Sequence, residues 1–266
     1  MTRAVVTLAV GPQGRDLHRI TGPVQRAYAG RIGARYVVID SDSISPGYPL
    51  AAKFQVSRIQ PHFARTLFLD VDVLLTPDCP DLFDLVPAGT VGIYDDFPDL
   101  QTFDWLQSEY RALADSQGWA DPTPYPHCRN TGVVVCDREH AALWAPPQHP
   151  YPRFHCSEQN IFNLNILRHG YPVHDLPKRF NYQWWSNKDS FATSDAPVLH
   201  FAGMSQPEAG GIDHAHRLRE VTARAEAMGY ATPADRPDAP CNCGGVNPAA
   251  LARTPRPARR KSTAGR

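Results

Sequence analysis

Short apolar runs alternate along this chain with longer amphipathic segments. Residues 4–10 (AVVTLAV) and 36–39 (YVVI) are continuous apolar runs, as is typical of strands buried on both faces. Residues 11–14 between them are predicted as a loop. From position 17 to position 32, apolar residues recur at spacings of three and four, which predicts a helix with one apolar face and a cap at Gly33. Strand, helix and strand in this order predict a parallel α/β unit, whose ligands bind beyond the carboxyl ends of the strands.

A further apolar stretch, residues 66–86, is interrupted near its start by Asp70 and Asp72. We expect one buried strand here, ended by a Thr-Pro-Asp turn. A carboxylate taken out of water costs several kcal/mol unless it is paired or binds a cation. Residues spaced i and i+2 lie on the same side of a strand, so these acids can converge on one hard cation and leave its other positions to phosphate oxygens. Acids that cap a following helix or pair with arginines would give the same pattern.

The rest of the chain continues the α/β alternation. Ser157 is predicted to cap a helix that Gly170 ends, with Glu158 and Gln159 in its first turn, where backbone N–H groups favour anionic partners. The other predicted helices are 51–59, 105–114 and 214–228, and the other predicted strands are 90–94, 131–136 and 198–201.

Composition adds the domain organisation. The 266 residues carry no formal net charge, with 42% hydrophobic and 20% charged residues, as in a soluble globular protein. Residues 1–231 are predicted to form one domain, and residues 232–266, rich in Pro, Ala and Arg, a disordered tail. Zero net charge argues against a globally basic nucleic-acid-binding protein. The chain begins without a secretory signal, and no run approaches the roughly 18 apolar residues that span a membrane, so we expect a cytoplasmic protein with no integral membrane segment.

Several polar groups lie where predicted strands end or helices begin: Asp70, Asp72, Asn130, Glu158, Gln159 and His200. With the segments around them, they occur in an order that resembles glycosyltransferase family 8, the glycogenin-like and lipopolysaccharide-galactosyltransferase-like group of GT-A nucleotide-sugar glycosyltransferases. The resemblance covers about residues 4–204. The matching segments are TLAV at 7–10, RTLFLDVDVLLTPDCPDLFDLV at 65–86, NTGVVVCD at 130–137, SEQNIFN at 157–163, LPKRFNYQ at 176–183 and HFAG at 200–203.

This resemblance implies an α/β fold of the GT-A (Rossmann-like) type, a mixed and mainly parallel sheet flanked by helices in a single domain. It implies the metal-dependent transfer of a hexose from a nucleotide-sugar, in particular a UDP-sugar, to an acceptor. Glycan, lipid-linked sugar, protein and small-molecule acceptors all stay open. Asp70, Asp72 and His200 would bind Mn²⁺ or Mg²⁺, with Mn²⁺ favoured because it accepts both O and N ligands.

The same resemblance implies the remaining roles. Glu158 and Gln159 would be the catalytic pair below the anomeric carbon. Members of the family retain the anomeric configuration, and a carboxylate at Glu158 leaves open both a double displacement and a front-face attack. The donor-binding residues would be Thr7, Ala9 and Gly11 at the nucleoside, Lys53 (with Arg58) and the two aspartates at the phosphates, Asn130 at the sugar, and Gly203 of the His-x-x-Gly segment.

One position departs from the family's pattern. After His-x-x-Gly the family usually has a lysine that binds the diphosphate, whereas this chain has Gln206. The role would then fall to another basic residue, or the protein would be a nonenzymatic sugar-nucleotide or glycan-binding module. A third hypothesis is a sugar-nucleotide hydrolase or nucleotidyltransferase on the same fold, which needs metal and phosphates but no sugar acceptor. The basic residues that could replace the lysine are Lys53, Arg58, Lys178, Arg179 and Lys188.

Overall fold

The computed structural model describes residues 2–44, 49–100, 103–203 and 213–231. The strands in these ranges are β1 (Arg3–Leu8), β2 (Arg35–Ile39), β3 (Arg65–Leu69), β4 (Val73–Leu75), β5 (Val91–Asp95), β6 (Arg129–Asp137), β7 (Val173–Asp175), β8 (Tyr182–Gln183) and β9 (Val198–His200). The α-helices are α1 (Gly11–Arg31), α2 (Val56–Ile59), α3 (Leu82–Leu85), α4 (Asp104–Gln117), α5 (Ser157–His169), α6 (Lys188–Phe191) and α7 (His214–Ala227). Short 3-10 helices cover Pro49–Gln55, Gln60–His62, Phe97–Asp99, Arg138–Trp144 and Lys178–Asn181. Within the described ranges, no helix combines the length and apolar character needed to cross a membrane.

The larger sheet has six strands in the order β2-β1-β3-β6-β5-β7. Strand β1 is parallel to both of its neighbours, and β5 is parallel to β7, whereas β6 is antiparallel to β3 and to β5. The sheet is therefore mixed and mainly parallel, and the predicted fold class is confirmed. A second sheet, in the order β4-β9-β8, lies beside it.

Helices cover both faces of the six-stranded sheet. Val5 of β1 belongs to one apolar layer with Leu17 of α1, and the next residue, Val6, belongs to the opposite layer with Trp144 and Phe162. Successive side chains of a strand point to opposite faces, so a strand covered on both faces needs apolar residues at every position. This explains the continuous apolar runs in the sequence.

The stretch around the two aspartates was predicted as one strand, and this prediction is wrong. Strand β3 ends at Leu69, the chain turns through Asp70 and Asp72, and β4 joins the second sheet instead. The turn is closed by the Val73 N–H, which donates to the Asp70 carbonyl at 3.2 Å. The aspartates converge because they lie in a turn between two sheets, not because they share one side of a strand.

The first helix begins earlier than predicted. Residues 11–14, predicted as a loop, form its first turn, and Gly11 adopts a φ of 73°. A proline stands in that first turn, where its missing N–H is one of the groups with no partner inside a helix. The helix then continues through Pro23. Its end agrees with the prediction, since Gly33 follows the last turn with a φ of 66°.

Helix α5 begins at Ser157, but the serine does not cap it. The cap position is Cys156, and the Ser157 Oγ accepts the Phe154 N–H at 2.5 Å. Glu158 and Gln159 lie in the first turn, as predicted.

The predicted helix at 51–59 is only partly α-helical. Pro49–Gln55 is a 3-10 helix that carries Lys53, and the α-helix covers Val56–Ile59. The proposed tail, residues 232–266, lies outside the described residues.

Candidate functional site

The polar groups singled out in the sequence meet at one edge of the large sheet. Because β6 runs antiparallel to β3 and β5, its first residues lie beside the carboxyl ends of both strands. The Asp70 N–H donates to the Gly132 carbonyl at 2.8 Å, which ties the end of β3 to β6. Asn130 of β6 lies opposite Tyr94 of β5, and β5 ends one residue later, directly before Asp96. This is the edge at which α/β sheets bind their ligands.

Helix α1 holds the turn that carries the two aspartates. The Thr21 hydroxyl donates to the Val71 carbonyl at 2.6 Å. The Gln25 side-chain amide donates to the carbonyls of Asp70 at 3.0 Å and of Val73 at 3.1 Å. Thr21 and Gln25 are both fully buried. Sequence reasoning missed them; the signal would have been two polar residues inside the apolar face of a predicted helix.

Asp70, Asp72 and His200 form a compact group of potential ligands. Each offers one ligand atom, and these three atoms lie within 4.8 Å of one another. The His200 Nε2 is 3.4 Å from the Asp72 Oδ1 and 3.7 Å from the Asp70 Oδ2. His200 is brought there by β9, which pairs antiparallel with β4 directly after the aspartate turn. The structure thus assembles the three residues that the resemblance implied as metal ligands.

A chain of hydrogen bonds decides which nitrogen of His200 faces the aspartates. The Gly132 N–H can only donate, so the Asn130 atom that it contacts at 2.9 Å is the side-chain oxygen. The Asn181 Nδ2 donates to that same oxygen at 3.0 Å, which turns the Asn181 oxygen toward the His200 Nδ1 at 2.8 Å. Nδ1 therefore carries a hydrogen, and Nε2 is the nitrogen that faces the carboxylates. In metal sites the ring nitrogen that does not bind the metal typically donates to such an oxygen acceptor, which fixes the orientation of the histidine. Two carboxylate oxygens and one imidazole nitrogen fit a divalent cation that takes both O and N ligands.

Each aspartate also has a basic partner. The Lys53 Nζ lies 2.9 Å from the Asp70 Oδ2 and 3.8 Å from a Glu158 carboxylate oxygen. Burial disfavours the charged form of Lys53, but the two carboxylates outweigh that cost and raise its pKa. On the other side, the Arg217 guanidinium of α7 contacts the Asp72 Oδ2. Burial alone would raise the pKa of Asp72, but the positive charge of Arg217 and the contact with His200 lower it.

A second buried network, missed by the sequence reasoning, supports Asn130. Its Nδ2 donates to the Asp96 Oδ2 at 3.1 Å and to the Gln183 Oε1 at 3.0 Å. The Gln183 Nε2 donates to the other Asp96 oxygen, and the Trp185 indole donates to Gln183 at 2.7 Å. Burial raises the pKa of Asp96 to about 7, although these donors act in the opposite direction. The available signals were the position of Asp96 at a strand end and of Gln183 in the LPKRFNYQ segment.

Asp96 leads to a prediction on pH. An unfolded aspartate loses its proton near pH 4, whereas folded Asp96 keeps it until about pH 7. The folded state thus binds more protons in this window, so its stability falls as the pH rises from 4 to 7, by up to about 4 kcal/mol for a shift of this size. We expect Asp96→Asn to remove this part of the pH dependence, measured as the free energy of unfolding in urea at pH 5 and pH 8.

The matched control for this experiment is Asp104→Asn, an exposed acid in the first turn of α4. His18 acts in the opposite direction, since burial lowers its pKa to about 4 and stability falls as the pH drops below its unfolded value. It is present in both variants and cancels in their difference. Equal pH dependence of the two variants would show that Asp96 does not hold a proton.

The two predicted catalytic residues lie next to this cluster. Glu158 is 4% exposed and lies beside Lys53, as described above. The Gln159 Oε1 accepts the Thr131 N–H at 3.2 Å, so its amide is attached to the start of β6. Lys53 also donates to the Thr131 hydroxyl at 3.2 Å. The structure therefore brings Glu158, Gln159 and Lys53 together with the aspartates.

The predicted nucleoside-binding residues lie at the end of β1. Thr7 is fully buried, and its hydroxyl has no hydrogen-bond partner among the residues that the structure describes. The Ala9 N–H donates to the Ile39 carbonyl at 2.7 Å, and Gly11 is the first residue of α1. Gly203, with a φ of 75°, follows β9 by three residues. Their role in donor binding stays a prediction.

Two of the proposed substitutes for the missing lysine are engaged elsewhere. The Arg58 guanidinium donates to the Ser43 hydroxyl at 2.9 Å on the surface. Lys178 donates to Asp99 at 2.8 Å. Gln206 itself lies outside the described residues.

No protein-family model matches this sequence, and no curated protein matches it. The structure is similar to a glycosyltransferase involved in the glycosylation of the major capsid of PBCV-1, with a TM-score of 0.56 and 13% identity, over 84% of this chain and 100% of that one. Mouse xyloside xylosyltransferase 1 gives a TM-score of 0.45 at 14% identity, over 76% of this chain and 98% of that one. The galactosyltransferase LgtC, solved with donor and acceptor sugar analogs, gives a TM-score of 0.45 at 16% identity, over 83% of this chain and 95% of that one. At such low identity the likeness to the first protein is one of fold, and it is the GT-A glycosyltransferase fold that the sequence predicted.

Proposed function

We propose that this protein is a metal-dependent glycosyltransferase that moves a hexose from a nucleotide-sugar, in particular a UDP-sugar, to an acceptor hydroxyl with retention of the anomeric configuration. The observation that carries the proposal is the group formed by Asp70, Asp72 and the Nε2 face of His200. This group lies at the ligand-binding edge of a glycosyltransferase fold. The Asn181 side-chain oxygen accepts a hydrogen bond from the His200 Nδ1 and so orients the histidine ring.

The chain's own residues divide the work of the transfer. A divalent cation held by Asp70, Asp72 and His200 would supply positive charge for the leaving diphosphate. Lys53 contacts both Asp70 and Glu158, and it thereby holds Glu158, the acid proposed to contact the sugar, in a fixed position relative to the aspartate turn. Glu158 and Gln159 contact the sugar in this proposal. The bond between the anomeric carbon and the diphosphate oxygen breaks, the acceptor oxygen forms the new bond and releases its proton, and the products are a nucleoside diphosphate and a glycoside.

The nucleoside and sugar subsites complete the proposal. The end of β1, from Thr7 through Ala9 to Gly11, binds the nucleoside through backbone groups. Asn130 lines the sugar site, and Gly203 allows the chain to pass close to the diphosphate. Support for the first two positions comes from Thr7, which pairs with Leu69 at the end of β3, and from Asn130, which lies opposite Tyr94 near the end of β5. Gly203 follows β9, the strand that carries His200.

The first test is thermal unfolding of the purified protein with UDP, UDP-glucose, UDP-galactose, GDP and ADP, each with and without Mn²⁺. A ligand that binds only the native state at a hundredfold excess over its dissociation constant stabilises it by about 2.7 kcal/mol. For a domain of this size that corresponds to a rise of roughly 5–10 °C in the midpoint. We expect a clearly larger rise with uridine nucleotides and Mn²⁺ together than with either alone.

The outcomes separate the three hypotheses. If none of the nucleotides raises the unfolding midpoint, the proposed donor site is contradicted. If a UDP-sugar binds and free hexose accumulates equally with and without any acceptor, the protein is a hydrolase. If it binds and neither hexose nor glycoside forms with glycan, lipid-linked, protein or small-molecule acceptors, the nonenzymatic binding module replaces the transferase.

A further inference from the structure

Helix α7 brings an arginine to the aspartate turn from the far end of the described chain. Arg217 lies in the first turn of this helix, which Asp213 caps through its carboxylate, 2.7 Å from the His216 N–H. Buried Val221 belongs to the apolar layer that includes α1 and fixes the helix against it. Since α1 also holds the backbone of the aspartate turn, Arg217 and Asp72 are positioned by the same helix. The Arg217 side chain is 14% exposed, so it lies at the border between the site and solvent.

The two oxygens of Asp72 serve different partners. Oδ1 faces the His200 Nε2 at 3.4 Å, whereas Oδ2 contacts the Arg217 guanidinium. A cation bound on the His200 side would therefore share one carboxylate with Arg217. The planar guanidinium has five N–H donors arranged as a fork, so one arginine can contact more than one anion at a time.

The charges of the site leave room for an anionic ligand beside that cation. Asp70, Asp72 and Glu158 are opposed by Lys53 and Arg217, so these residues together carry one net negative charge (three acids against two bases). A divalent cation would turn this into one net positive charge. A sugar-nucleotide diphosphate, with a negative charge on each phosphate, is therefore attracted to this positive assembly. Without Arg217 the same three acids, Lys53 and the cation would carry no net charge, and the attraction for the diphosphate would be weaker.

We propose that Arg217 is a ligand of the donor diphosphate and takes the role that a lysine at position 206 would have had. This rests on the proposed function, because it names a residue that would bind the donor at the same site. In the donor complex Arg217 keeps its contact with Asp72 and also donates to phosphate oxygens. Its positive charge has a second consequence: it opposes a cation that binds the same carboxylate before any diphosphate is present.

The test measures two affinities that should change in opposite directions in Arg217→Gln. The first is Mn²⁺ alone, followed by the electron paramagnetic resonance signal of free Mn²⁺. Removal of the neighbouring positive charge is expected to tighten this binding several-fold. The second is UDP at saturating Mn²⁺, measured by calorimetry. Loss of charge-assisted hydrogen bonds is expected to weaken this binding by about tenfold to a hundredfold.

Two other arginines of the same helix provide matched controls. Arg219→Gln removes an exposed charge and should change neither affinity. Arg224→Gln removes hydrogen bonds to the Ala192 and Ser194 carbonyls and reports what a purely structural loss on α7 does. Arg217→Lys keeps the charge without the planar fork, so its UDP affinity should lie between those of the wild type and Arg217→Gln.

Each outcome decides the matter. Opposite changes in Arg217→Gln support the proposal. If both affinities fall, as a local loss of structure would cause, or if UDP affinity stays that of the wild type, the proposal is overturned while the proposed function stands. If the wild type itself binds no UDP at any Mn²⁺ concentration, the proposed function fails, and the role of Arg217 fails with it.

Discussion

Asp72→Asn is expected to abolish Mn²⁺-dependent UDP binding, with a loss of more than about a hundredfold. Even the loss of an outer partner of a metal ligand typically costs about tenfold to a hundredfold, and Asp72 itself offers a ligand atom next to His200. Asparagine keeps the shape of the side chain but removes the charge that attracts a cation. The measurement is a UDP titration by calorimetry at several Mn²⁺ concentrations. Transfer activity, once a donor is known, should fall by about two to three orders of magnitude or more.

The same substitution removes the charged partner of Arg217, and this effect must be kept apart from the loss of the metal ligand. Breaking a buried ion pair can cost about 3–5 kcal/mol, and less where an amide oxygen still accepts a hydrogen bond. The double variant Asp72→Asn/Arg217→Gln should recover much of that stability without recovering binding. Asp104→Asn, on the exposed side of α4, is the charge control. A folded Asp72→Asn protein that still bound UDP with Mn²⁺ within a few-fold of the wild type would refute the metal assignment.

Gly132→Ala is expected to destroy the site by displacing His200. A Cβ at position 132 would lie 2.2 Å from the His200 Cε1 and 2.7 Å from its Nδ1, far inside van der Waals contact. The ring cannot move freely because its Nδ1 is hydrogen-bonded to the Asn181 side-chain oxygen. The backbone cannot move freely either, because the Gly132 N–H donates to Asn130 and its carbonyl accepts from Asp70. We expect a loss of about 1–3 kcal/mol in the free energy of unfolding, as for other overpacked sites, together with a loss of Mn²⁺-dependent UDP binding comparable to that of Asp72→Asn.

Gly92→Ala provides the steric control for this experiment. Gly92 lies on β5 of the same sheet, and a Cβ there would come within 2.3 Å of the Val86 Cγ2, away from the aspartates. The two variants should lose similar stability, but Gly92→Ala should keep its UDP affinity. Unchanged binding in Gly132→Ala would show that His200 is not needed where the structure places it.

Much of the fold could be predicted because it depends on local burial. Strand β2 and helices α4 and α7 lie close to where apolar periodicity placed them. A helix with one covered face and a strand with two covered faces each leave a distinct pattern in the sequence. The group of Asp70, Asp72 and His200 was found in another way, through the order of short segments in a family resemblance.

The break between β3 and β4 could not be predicted from the same patterns. Residues on both sides of the aspartate turn are fully buried, so the apolar pattern resumes directly after Asp72 although the chain changes sheets. The change is visible only in the pairing partners, which are β1 and β6 for the first strand and β9 for the second. A strand's partner is set by tertiary packing and leaves no mark on its own composition.

By itself, the sequence determined the α/β class, most of the elements and the three residues that could hold a metal. Only the tertiary structure decided how those residues are oriented and neutralised. The Asp96 contact with Asn130 spans 34 residues, the contact of Asp96 with Gln183 spans 87, and the contact of Arg217 with Asp72 spans 145. Local patterns report which face of an element is buried, because that depends on neighbours a few residues away. They do not report which polar side chain from another element meets an acid, because that partner is chosen only when the layers pack together.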